Sequence, residues 1–226
     1  MNTPRTASVG TDLRRSLGSQ NSSARLQAAL AAGTHPDPGH LEALVDSCAI
    51  EPDFFVRDML SWALTRLPAS ITVPRLLEET TSAGGQARSQ ALHTLSKIGD
   101  PQGWPAITPE LLHDADDEVA RSAWRAAVAL VPAGAEEQLA KALAAELGRG
   151  GRDVQLSLSR ALVGLGDDAM PVLAEAACSG NAVVRTHAIA TERLVRDPEA
   201  GFDAAIFEAK RVVALDNAPG PSEAAC

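Results

Sequence analysis

Hydrophobic and polar positions along the chain repeat with a period of about thirty residues. The marker is an arginine opening a largely apolar stretch: Arg25 in SSARLQAALAAG, Arg57 in FFVRDMLSWALTRL, Arg88 in GQARSQALHTLSKIGD, Arg121 in DDEVARSAWRAAVALV and Arg185 in NAVVRTHAIATERLV. Gln155 in VQLSLSRALVGLGD takes the place in a fifth unit, and the spacings are 32, 31, 33, 34 and 30 residues. A period of this length is the signature of a stacked-repeat architecture. Each of the six units reads as two helices, and the second, which carries the marker near its start, is the clearer. Six positions after the marker stand Ala31, Ala63, Thr94, Ala127, Ala161 and Thr191, small in every unit. Ala32, Leu64, Leu95, Val128 and Leu162 follow, with Glu192 as the exception. A small residue beside an apolar one lets neighbouring helices approach and stack.

Helix starts are marked by Ser22, Asp53, Asp116, Asp153 and Asn181, residue types that accept from the first free backbone N–H groups. The first helices of the pairs are expected around Leu41–Cys48, Val73–Glu79, Trp104–His113, Glu136–Leu147, Met170–Cys178 and Phe202–Val213. Pro74, Pro105 and Pro171 sit at or near their first turns, where proline is tolerated. The predicted fold is all-α, an α-solenoid of about six helix pairs, with the second helices lining a concave face. Residues 1–21 are expected to form an N-terminal segment with a short capping helix over Thr11–Ser19, 22–215 the solenoid and 216–226 a disordered tail. Gly148–Asp153, GRGGRD, reads as a loop between units, open to being a hinge or an ordinary turn.

Three segments carry a resemblance to HEAT repeats of the phycobilin-lyase-like type. LSKIGDPQGWPAI, Leu95 to Ile107, looks like the helix–Gly-Asp-Pro–helix junction of that family. LLHDADDEVARSAWRAAVAL, Leu111 to Leu130, resembles its following segment, with one extra residue, Ala120, between Val119 and Arg121. LVGLGDDAMPVL, Leu162 to Leu173, is a third likeness without the proline after the aspartate. The resemblance implies Asp–Arg ladders inside the solenoid at Asp53–Arg57, Asp117–Arg121 and Asn181–Arg185, broken at Gln155.

Composition narrows the function. The 226 residues include 20 Lys+Arg and 29 Asp+Glu, a net charge of −9, with 45% hydrophobic residues, 3% aromatics and no tyrosine. That balance excludes wholesale disorder and disfavours a β sandwich. Cys48, Cys178 and Cys226 are too few and too scattered for a disulfide scaffold, the N-terminal stretch lacks the apolar run of a secretory signal, and the expectation is a cytoplasmic protein. His35, His40, His93, His113 and His187 are dispersed. The His-Glu dipeptides with which the HEAT-class deoxyhypusine hydroxylase holds iron do not occur, so neither metal nor cofactor is expected. Cys48 and Cys178, near the ends of first helices, read as small core residues, and no activated cysteine, phosphate loop or nucleophile elbow is present.

Charge placement points to an interaction surface. Eleven of the 20 basic residues lie on second helices, whereas acids crowd the first helices and turns. With the ladder arginines set aside, Arg66, Lys97, Arg125, Arg160, Arg193 and Arg196 remain. Asp58, Trp62 and Arg66 follow at i, i+4 and i+8, with His93 and Lys97 at the equivalent place in the next unit. An aromatic flanked by charges is the composition of a binding hot spot, although Trp62, one of only three tryptophans, reads first as core. Trp104 and Trp124 read as structural. The expected function is a non-enzymatic scaffold that holds a protein or peptide on its concave face through Asp58, Trp62, Arg66, His93, Lys97, Arg125 and Arg160. Two alternatives stand beside it: a DNA-binding protein like the HEAT-like alkylpurine glycosylases, which the net charge opposes, and a lyase- or hydroxylase-type enzyme whose ligands are not recognisable. Sequence leaves the partner's identity and the oligomeric state open.

Overall fold

The structure, a computed structural model, describes residues 4–216, with side chains from Gly10 onward. The expectation of a disordered tail from 216 falls, apart from Asp216, outside the described residues, as does Cys226. Thirteen α-helices follow one another among the described residues: α1 Pro4–Leu17, α2 Ser22–Thr34, α3 Leu41–Ile50, α4 Phe54–Thr65, α5 Ala69–Glu79, α6 Gly85–Ile98, α7 Pro109–Leu112, α8 Asp117–Leu130, α9 Glu136–Ala144, α10 Arg152–Gly164, α11 Met170–Ala177, α12 Ala182–Arg196 and α13 Phe202–Asp216. Short 3-10 turns at Pro38–His40, Pro101–Ala106, Gly166–Ala169 and Pro198–Ala200 join them. No described helix is long and apolar enough to cross a membrane.

The chain divides into two compact units, one ending at Val131 and the other starting at Pro132. In the first, the inner helices α2, α4, α6 and α8 pack in succession, α1 lies on α2 and α3, and α3 also reaches α6. In the second, α10 packs on α12, and α12 takes α11 and α13. Both are α-solenoids of stacked helix pairs.

Four of the inner helices start on one chemical device. Asn21, Asp53, Asp116 and Asn181 each place a side-chain oxygen 2.9 Å from the N–H two residues on. The first cap is thus Asn21, with Ser22 the first residue of α2. At α10 the cap is Gly151, and Asp153 lies inside the first turn, where its charge faces the positive end of the helix. Helix α5 begins at Ala69, earlier than expected, so Pro74 is interior to it. The single helix expected over Trp104–His113 is split into the 3-10 turn and the four-residue α7, because Pro105 and Pro109 interrupt continuous α-helix.

Counting from these caps shifts one repeat marker. The fourth residue after the cap is Arg25, Arg57, Arg88, Gln155 and Arg185, but in the fourth unit it is the fully buried Ala120; Arg121 stands one place later. The small positions Ala63, Thr94, Ala127, Ala161 and Thr191 are buried, whereas Ala31 on α2 is exposed. Hydroxyls join successive inner helices: Ser89 to Ser122 at 3.0 Å, Thr94 to Ser61 at 3.4 Å, Ser159 to Thr191 at 2.7 Å.

At Asp53–Arg57 the expected ladder gives way to a different bracket. The Asp53 carboxylate is spent on its own helix start, and Arg57 Nη1 instead donates to the carbonyls of Glu51 and Pro52, both at 2.8 Å. Arg25 Nη1 clasps Ser19 and Gln20 in the same way, Arg88 Nη1 clasps Ser82 and Ala83, and Arg185 Nη1 reaches Ser179. The repeated arginine therefore closes the turn that leads into its own helix. Gln155 reaches only the Gly150 carbonyl, at 3.3 Å, so the fifth unit keeps the bracket in a shorter form. Arg25 and Arg88 also join neighbouring units by ion pairs to Glu51 at 2.7 Å and Asp114 at 3.0 Å.

Trp124 is fully buried, its indole N–H donating to the Leu112 carbonyl at 2.9 Å. Cys48 is a core residue, and burial pushes its thiol up to about 12. Cys178, expected in the core, is exposed, because α11 ends at Ala177 and leaves it on the turn. His187, 1% exposed, is a core group: Nδ1 accepts from the Gly148 N–H at 3.0 Å, and Nε2 meets Ser159 Oγ at 2.9 Å and the Gln155 carbonyl at 3.1 Å. It pins the first glycine of GRGGRD, whose φ of +85° favours glycine.

Candidate functional site: a groove on the inner helices of the first unit

The ninth residue after each cap gives Trp62 on α4, His93 on α6 and Arg125 on α8, so inner-helix stacking aligns these three side chains. Beside them is a groove of about 400 Å³, walled by Phe54, Arg57 and Asp58 of α4, Ser89, Gln90 and His93 of α6, and Glu118, Arg121, Ser122 and Arg125 of α8. Lys97 Nζ donates to Asp58 Oδ1 of the wall at 2.8 Å. Arg121 Nη1 donates to Glu118 Oε1 at 2.6 Å, and Arg125 Nη1 lies 3.0 Å from His93 Nδ1. A guanidinium only donates, so His93 Nδ1 accepts and the ring carries its proton on Nε2. Burial, reinforced by Lys97 and Arg125 and opposed by Asp58, pushes the His93 pKa down to about 4, so the imidazole is neutral at physiological pH.

Asp58, His93, Lys97 and Arg125 thus come together. Trp62 is half-buried, its ring laid against Gly33 of α2, where a β-carbon would stand 2.2 Å from Cζ3. Arg66 is exposed and is the C-cap of α4; it is not among the residues that wall the groove. Arg160 is exposed on α10 in the second unit, at the same place in its own repeat. Sequence reasoning passed over Phe54, Arg57, Arg121, Gln90 and the two serines. Arg57 and Arg121, both expected as ladder arginines, line the groove, although Arg121 stands one position later after its cap than Arg57 does.

The second unit has a cavity of about 550 Å³ floored by Val183, Phe202 and Ile206. Arg152 and Asp203 at its rim are closed on each other by a bidentate pair at 2.7 and 2.6 Å. Among the described residues, no three of His, Cys, Asp and Glu are grouped as a metal would require.

The fold defines a protein of stacked helix-pair repeats, and solved structures of similar form are known. An engineered protein aligns over 82% of this chain and 95% of its own, at 21% identity and a TM-score of 0.47. The complex of CpcE and CpcF of phycocyanin lyase from Nostoc sp. PCC7120 covers 93% of this chain and 88% of that one, at 18% identity and a TM-score of 0.47. Human deoxyhypusine hydroxylase in complex with glycerol covers 93% and 96%, at 19% identity and a TM-score of 0.46. No protein-family model and no curated protein sequence matches. One expectation is corrected by these neighbours. The chain was expected not to be an enzyme, but a lyase and a hydroxylase are among the neighbours, so absence of catalysis does not follow from this architecture.

Proposed function

We propose that the chain holds a segment of a partner protein against the inner helices of its first unit. The observation that carries this reading is the groove itself: three successive helices contribute arginines, hydroxyls, an amide and an exposed phenylalanine to one open surface. Its side chains are held in place before any partner arrives, by the Asp58–Lys97, Glu118–Arg121 and His93–Arg125 contacts. Preorganisation of that kind lowers the entropy lost on binding, and contacts spread over several repeats add up to useful affinity.

Site-specific photocrosslinking in the full chain tests it. A crosslinker replacing Gln90, on the groove wall, is expected to give a discrete protein adduct that the R121E/R125E variant loses. A crosslinker at exposed Glu78 on α5 is expected to give none. Equal adducts from both positions, or an adduct indifferent to the charge reversal, would remove the reading.

A further inference from the structure

We propose that the segment held in the groove is an acidic peptide carrying a phenylalanine or leucine beside its carboxylates. This inference rests on the binding role just described and adds the chemistry of the partner.

The first support is charge. The chain carries −9, yet among the residues that wall the groove the arginines Arg57, Arg121 and Arg125 outnumber the acids Asp58 and Glu118, and Lys97 stands beside Asp58. Arg125 is exposed at the centre of the wall and oriented by His93, and planar guanidinium forks suit carboxylates. His93, facing Asp58, Lys97 and Arg125, stays neutral, so the field of the groove holds steady through the physiological range. The excess of positive charge is small. It matches single carboxylates distributed along a peptide, and it is far too weak for a polyphosphate backbone, which needs many cations to release its counterions.

The second support is the aromatic rim. Phe54 and Phe55 are 66% and 71% exposed, and they form an edge-on pair with ring centroids 5.7 Å apart. They are two of only four phenylalanines in the chain, and Ile50, 79% exposed, ends the preceding helix α3. Phe54 also lines the groove, so the apolar rim and the arginines belong to one surface. The backbone under these rings is fixed on both sides, by the Asp53 cap on the Phe55 and Val56 N–H groups and by the Arg57 bracket on Glu51 and Pro52. Rigid, exposed aromatics beside arginines are the composition of an interface anchor.

Fluorescence anisotropy with the full chain and four labelled synthetic dodecamers tests the assignment. The first alternates Asp and Glu with Phe and Leu; the second has Lys for every acid; the third has Ser for Phe and Leu; the fourth has phosphoserine for the acids and no apolar residue. The first is expected to bind about ten-fold or more tighter than each of the others, with R125E and F54S/F55S each weakening it about ten-fold. Both variants alter exposed side chains, and circular dichroism reports whether the fold is kept. Tightest binding of the Lys or phosphoserine peptide, or of the peptide without apolar residues, would overturn the inference while leaving the groove as a binding site if R125E alters that binding. Failure of all four, or binding that R125E and F54S/F55S leave unchanged, would overturn the inference together with the reading it rests on.

Discussion

His187 shows how much of this protein's stability rests on single side chains. It ties the Gly148 N–H and Ser159 together from inside the second unit, so His187→Ala leaves a cavity and takes the acceptor from the Gly148 N–H, while Ser159 keeps Thr191. The expected cost is about 2–4 kcal/mol in denaturant unfolding. Sequence could place His187 on a helix but not inside the core, because its burial depends on a glycine 39 residues away. Trp62 is the same case. Whether it is core or contact surface is decided by Gly33 in the preceding unit, where absence of a side chain gives the ring a seat. Gly33→Ala is expected to destabilise the chain by about 1–3 kcal/mol, and Trp62→Leu in the same chain to recover part of that loss. A double-mutant cycle in urea measures the coupling; strict additivity would contradict the contact.

At the scale of the element, the inner helices were the most legible, because α2, α4, α8 and α12 start on one polar side chain and the inner helices repeat a small position. The boundaries that moved did so for local reasons: Gly84 and Gly151 cap without a side chain, and Pro105 and Pro109 split one expected helix. The role of the repeated arginine was not legible, since its partners are backbone carbonyls that carry no sequence signature. Asp53 and Arg57 act on the same turn from two sides. Asp53→Ala, which loses the cap, is expected to cost about 1 kcal/mol of stability by urea unfolding. In native-state hydrogen exchange it is expected to speed the Phe55 and Val56 amides ahead of the rest of α4. Unchanged exchange at those two amides would contradict the capping role.

For the whole molecule, acid is expected to act in two windows. Burial holds His187 at about 4 against an ordinary 6.5, so the unfolded chain takes up a proton that the folded chain refuses between these values. The His187 contribution to stability therefore falls as pH drops from about 6.5 to about 4, by about 3 kcal/mol, and is flat below; His93, also held at about 4, adds a loss of the same sign. Glu51 behaves differently. The Arg25 guanidinium holds its carboxyl below the usual range, so its stabilisation is full above pH 4.5 and is lost as pH falls further. Urea midpoints across pH 8 to 3 for the parent chain and His187→Ala check the first window; an unchanged slope in the variant would contradict it.

The groove was half legible at this scale. Charge placement picked out Asp58, His93, Lys97 and Arg125, because an uneven distribution of charge can be read along a chain. It missed Arg121 and Phe54, whose arrival at the same surface depends on helix register. The most direct test of the groove as the binding surface is selection of random displayed peptides on the full chain, followed by titration of each enriched peptide against the parent and R121E/R125E. The expected result is enriched peptides that compete with one another and lose affinity in the variant. Enriched peptides that bind both forms equally would contradict the account.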